Sequence, residues 1–136
     1  MATGSGAPSW SGNITPTQQR TAQIKYPGTT RIYGQATVEP GGDPGHTKVR
    51  VSFTTPVVNQ TYQWGLHEGR CGTNAPAVVP INVFPAIDVS GNGSGQAAVE
   101  IPMSIPESGA YHVNLFVGGN GLEHVIACSN LKLSRR

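Results

Sequence analysis

Charge is scarce in this chain of 136 residues. Lys, Arg, Asp and Glu together supply 12%, about half the share usual in a globular domain. The formal net charge is only +2, and basic residues gather only as Lys48 with Arg50 and as the tail Lys132, Arg135 and Arg136. A nucleic-acid-binding surface shows a clustered basic patch, so no nucleic-acid partner is expected. Runs of Ala, Leu, Glu and Lys from which to build helices are few. No apolar run reaches the ~18 residues of a membrane span, so none is expected. Residues 1–9 lack the apolar segment of a signal peptide and read as a flexible lead-in. Cysteine occurs twice, at Cys71 and Cys128, with no C-x-x-C spacing, which favours a disulfide over a metal pair. Two buried free thiols are the alternative.

What the chain has in quantity is Gly (18) and Pro (11), spaced between short alternating stretches. That composition predicts an all-β domain with many turns. Residues 10–14 read as a first strand ended by Pro16, and 17–29 as a loop or irregular edge. In 31–39, Ile32, Gly34, Ala36 and Val38 point inward, with Arg31, Tyr33, Gln35 and Thr37 outward. The turn signal Pro40-Gly41-Gly42-Asp43-Pro44-Gly45 joins this strand to 46–55 in a hairpin, with Val49, Val51 and Phe53 inward.

The stretch 61–71 is the centre of the pattern. Tyr62, Trp64 and Leu66 lie on one face, Gln63, Gly65 and His67 on the other, and Cys71 closes it. A long loop follows at 72–83, then a short edge strand at 84–89 and a flexible turn at 90–95. Strands at 96–101, 110–117 and 123–133 complete the chain, the last two joined by a tight hairpin at 118–121. In 110–117, Tyr111, Val113, Leu115 and Val117 point inward, and His112, Asn114 and Phe116 outward. About eight strands at this spacing predict one Greek-key β-sandwich or barrel over 10–136, with an immunoglobulin-like arrangement among the candidates.

Signals for catalysis are sparse. No G-x-S-x-G elbow occurs, Ser94 lies in a Gly-rich turn without phosphate-loop spacing, and no two carboxylates are brought together. Of His46, His67, His112 and His124, the pair His67 and His112 could share an outward face, which makes them the candidate metal ligands. Copper or zinc needs three or four convergent donors, so two imidazoles are an incomplete shell and no cofactor is expected. Outward Tyr33, Arg50, Gln63 and Phe116 are candidates for a surface that takes a protein, a glycan or a second copy of the chain. Such aromatics also pack under long loops, and 72–83 is placed to cover one.

Gly65-Leu66-His67-Glu68-Gly69-Arg70-Cys71, followed by Val125-Ile126-Ala127-Cys128-Ser129-Asn130-Leu131, resembles the copper/zinc superoxide dismutase family and its chordin-domain relatives. Tyr111-His112-Val113-Asn114-Leu115-Phe116 is similar to a strand of the chordin-type domains. The resemblance implies the dismutase sandwich and a Cys71–Cys128 bridge. It departs where metal would be held: Gly65 takes the place of the first His of His-x-His, Phe116 that of another, and 72–77 carries neither His nor Asp. The expectation is a non-catalytic, extracytoplasmic module with a binding or structural role, able to self-assemble. The alternative is a divergent copper- or zinc-binding dismutase-like protein. A bridge between Cys71 and Cys128 suits an oxidising compartment.

Overall fold

The hairpin announced by the Pro- and Gly-rich turn organises one side of the molecule. In the computed structural model, which describes residues 7–17, 31–56, 58, 61–73, 75–116 and 125–135, β2 (Tyr33–Pro40) and β3 (Thr47–Thr54) pair antiparallel from Tyr33↔Thr54 to Pro40↔Thr47. Asp43 and Gly45 close the turn: His46 N donates to Asp43 O at 3.2 Å, and Gly45 adopts a φ of 78°. Alternation then does what it should. Ala36, Val38, Val49, Val51 and Phe53 are buried, while Gln35, Arg50 and Ser52 stay in water.

β1 (Pro8–Pro16) flanks β2, with Trp10↔Val38 and Ile14↔Gly34 in register, so the first strand starts inside the expected lead-in. On the far side of β3 lies β6 (Ser94–Ile101), which takes in Ser94 and Gly95 from the expected flexible turn. The second half of the barrel contains β4 (Thr61–Glu68), β7 (Tyr111–Phe116) and β8 (Val125–Asn130). The two-residue β5 (Ile87–Asp88) sits on the outer edge of β4. The expected closing strand at 123–133 is split: β8 ends at Asn130, and β9 (Lys132–Arg135) pairs with the start of β1 instead. The hairpin at 118–121 and the loop at 18–30 lie outside the described residues.

Strand order is β5-β4-β7-β8-β1-β2-β3-β6, and β5 approaches β6, so the sheet is an antiparallel barrel that nearly closes. Across that near-closure the strands run β3-β6-β5-β4, a Greek-key order in which β6 and β5 approach without pairing. The interior holds Trp10, Ile14, Phe53, Tyr62, Trp64, Leu66, Val113 and Leu115. Phe53 meets Tyr62 edge-on at 5.4 Å, and Trp64 meets Phe84 at 5.0 Å. Each buried indole also finds a polar partner: Trp10 Nε1 donates to Pro106 O at 3.0 Å and Trp64 Nε1 to Pro85 O at 2.7 Å.

Candidate functional site

Strand alternation predicts one wet face on β4 and β7, and here the fold departs from it. His67 and His112 are each 1% exposed, and Asn114 and Phe116 are buried as well, so these four expected outward residues all lie out of water. For His67 and His112 the cause is the segment after β4. It turns back across the strands, where Val78 N donates to Leu66 O at 2.8 Å and Ala77 bridges His67. A single 3₁₀ turn at Ile81–Val83 then sets Ile81 and Phe84 over Gly65. A second tie is the disulfide between Cys71 and Cys128, which anchors the root of this segment to β8. Asn130 Oδ1 accepts the Cys71 N–H at 2.8 Å beside it. The half-barrel thus has two dry faces, one toward the core and one under the covering segment.

Within that second layer the two histidines are direct partners in the β4–β7 ladder, with rings 5.2 Å apart and 16° from parallel. His67 Nδ1 donates to Ala75 O and His112 Nδ1 to Gly69 O, both at 2.8 Å. These bonds fix the neutral tautomer with its proton on Nδ1. Burial pushes both imidazoles below their ordinary pKa, and for His67 the neighbouring His112 pushes the same way. His67 Nε2 is buried without a hydrogen-bond partner. It lies 3.4 Å from where a Cβ on Gly65 would sit, close to Ile81 Cδ1. An open groove of about 430 Å³ is lined by His67 itself together with Pro76, Val78, Val79, Pro80 and Ile81.

His67 and His112 alone do not make up a metal site. Among the described residues, no three of His, Cys, Asp and Glu converge. His46 is in the β2–β3 turn, its Nδ1 3.3 Å from Pro44 O, and His124 lies outside the described residues. Glu68 is exposed at the end of β4. Two nitrogens fall short of the three or four donors that copper and zinc sites use.

The proposed surface residues separate. Gln63 is half-buried opposite Phe116 on the covered half-barrel, so neither belongs to an open face with the other two. Tyr33, 54% exposed, and Arg50 do share a face, the outer side of β1-β2-β3-β6. Strand register arranges that face in rows. Ser11, Thr37, Arg50 and Ala98 form one; Asn13, Gln35, Ser52 and Gln96 the next; Tyr33, Thr54 and Ser94 a third. Arg50 Nε reaches Glu39 Oε1 at 3.4 Å, a solvated pair of little energetic weight. Asn13 and Gln96 belong to this face, yet the sequence gives no reason to single them out, since their alignment depends on register between strands.

No family model matches the chain, and no curated protein matches it either.

Proposed function

We propose that the protein is a non-catalytic, extracytoplasmic binding module whose working surface is the outer face of β1-β2-β3-β6. The observation that carries this reading is the alignment of Tyr33, Gln35, Arg50, Asn13 and Gln96 on one broad polar face. In the other half of the barrel, His67 and His112 are each 1% exposed. Each spends its only N–H on a loop carbonyl, so neither offers a proton to the groove that His67 helps to line. General acid–base work needs groups that converge on a substrate, and His67 is the one titratable residue lining that groove, which supports the non-catalytic reading. The likeness of the 65–71 and 125–131 segments to the dismutase family supports a shared scaffold without its chemistry. The Cys71–Cys128 bridge supports an oxidising compartment.

A protein, a glycan or a second copy of the chain would meet the amide-rich rows beside Tyr33. The test is sedimentation velocity at rising concentration together with a panel of immobilised glycans and peptides. Tyr33→Ala and Arg50→Ala should weaken whichever association is found and leave the melting temperature unchanged. A protein that stays monomeric and binds nothing on the panel would sink the reading. Stoichiometric, sub-micromolar binding of Cu(II) or Zn(II), lost in His67→Ala, would replace it with the metal one.

A further inference from the structure

The seam between β1 and the split closing strand leaves a polar cleft. β1 pairs with β9 as far as Ser11↔Lys132 and with β8 only from Thr15↔Cys128, so neither ladder spans residues 12–14. The strands still approach closely there: a Cβ on Gly12 would collide with Asn130 O and Ser129 Oγ. The cleft that results has a volume of about 470 Å³ and is lined by Ser11, Gly12, Asn13, Gln35, Asn130 and Lys132. It opens onto the row Asn13, Gln35, Ser52, Gln96, whose three strand-to-strand steps span roughly 14 Å.

The lining has a definite chemistry: one hydroxyl, three primary amides and one ammonium, with neither carboxylate nor aromatic ring among them. Amides offer donor and acceptor together, which suits the hydroxyls of a sugar. The balance is tipped toward donors. Asn130 Oδ1 already accepts the Cys71 N–H, so its two NH₂ donors and one remaining lone pair are left for a ligand. Lys132 adds three further N–H donors and a positive charge. A neutral sugar leaves that charge unanswered, whereas one bearing carboxylates answers it.

We propose that this cleft holds an acidic saccharide, one built from uronic acid units. The Lys132 ammonium meets a carboxylate, and the amides of Asn13, Gln35 and Asn130 meet ring hydroxyls. The inference rests on the reading of the outer face as a binding surface and names its ligand class. A peptide of aspartate or glutamate would satisfy Lys132 but leave the three amides without vicinal hydroxyls to bridge.

The experiment is amide NMR titration of the intact protein at low salt with a tetragalacturonate, a neutral tetrasaccharide and a tetraglutamate peptide. Tetragalacturonate should shift residues 11–13, Gln35 and Asn130. Lys132→Met should weaken it several-fold and narrow its advantage over the neutral sugar. Asn13→Ala, on an exposed strand position, should weaken both sugars with the melting temperature unchanged. Equal binding of the neutral sugar, equal binding of tetraglutamate, or shifts mapping away from the cleft would each overturn the assignment. Loss of self-association or of another partner in Tyr33→Ala, with no saccharide bound, would overturn the ligand class and leave the binding-module reading standing.

Discussion

His67 and His112 stack face to face across the β4–β7 ladder at 5.2 Å, and each is held by its Nδ1 proton to a carbonyl of the chain that folds over them. The covering segment and the two rings therefore depend on one another. The carbonyls of Gly69 and Ala75 need these donors once water is excluded, and the rings must remain neutral to stay dry.

Acid should loosen this layer. Both histidines have folded pKa values below the ordinary 6.5, with burial as the leading cause. The unfolded chain then binds protons that the folded one refuses, so stability is full above about pH 6.5 and falls as pH drops below it. The slope is at most about 1.4 kcal/mol per pH unit for each histidine. Urea midpoints between pH 8 and pH 5 should decline accordingly. The decline should flatten in His112→Phe, which keeps a ring in the stack and removes one proton site; an unchanged slope in that variant would contradict the account.

The strands were legible in the sequence because Gly and Pro punctuate it and because β2 and β3 obey strict alternation, with Val49, Val51 and Phe53 in and Arg50 and Ser52 out. The same rule misplaces His67, His112 and Phe116. Period-two reasoning assumes that the face away from the core is wet, and a segment laid across β4 removes that assumption. The long Pro-bearing loop at 72–83 was the available sign of such a cover. Nothing local announces the cleft at Gly12, since Leu131 looks like one more apolar residue of a continuous strand. Only pairing with β1 divides that strand in two.

Reduction should cost the protein much of its stability. The Cys71–Cys128 bridge closes a loop of 57 residues, which on chain entropy is worth about 4 kcal/mol. For a domain of this size that corresponds to a fall of roughly 10–15 °C in melting temperature. Calorimetry with and without a phosphine reductant measures it. Cys71→Ser should match the reduced protein, and a shift of only a degree or two would show that the bridge adds little beyond the packing of 69–86.

Phe116 and Tyr33 were read from sequence as the same kind of residue, and the fold gives them opposite roles. Phe116 is fully buried and Tyr33 is 54% exposed. Phe116→Ala should cost about 3–5 kcal/mol, whereas Tyr33→Ala should change stability by no more than ~0.5 kcal/mol. Denaturant titration of both variants decides the matter. A neutral Phe116→Ala would mean that the layer outside β7 is loosely packed.

Two glycines separate rigid from yielding contacts. A Cβ added at Gly12 would strike the main-chain oxygen of Asn130 as well as Ser129 Oγ, and with Gly12 paired to Ala36 and Asn130 to His112 neither backbone can step aside cheaply. A Cβ added at Gly65 meets Ile81 Cδ1 at 2.6 Å, the free end of a side chain bordering an open groove, with His67 Nε2 at 3.4 Å. Ile81 can change rotamer into that groove. Gly12→Ala should therefore cost about 2–3 kcal/mol and Gly65→Ala under about 1.5 kcal/mol. The Gly12 variant should also close the cleft beside Asn130, so amide shifts at Asn13 and Lys132 should accompany its lower urea midpoint. Equal costs at the two sites would mean that Ile81 is as firmly held as the β1 seam, and that the segment covering His67 is rigid.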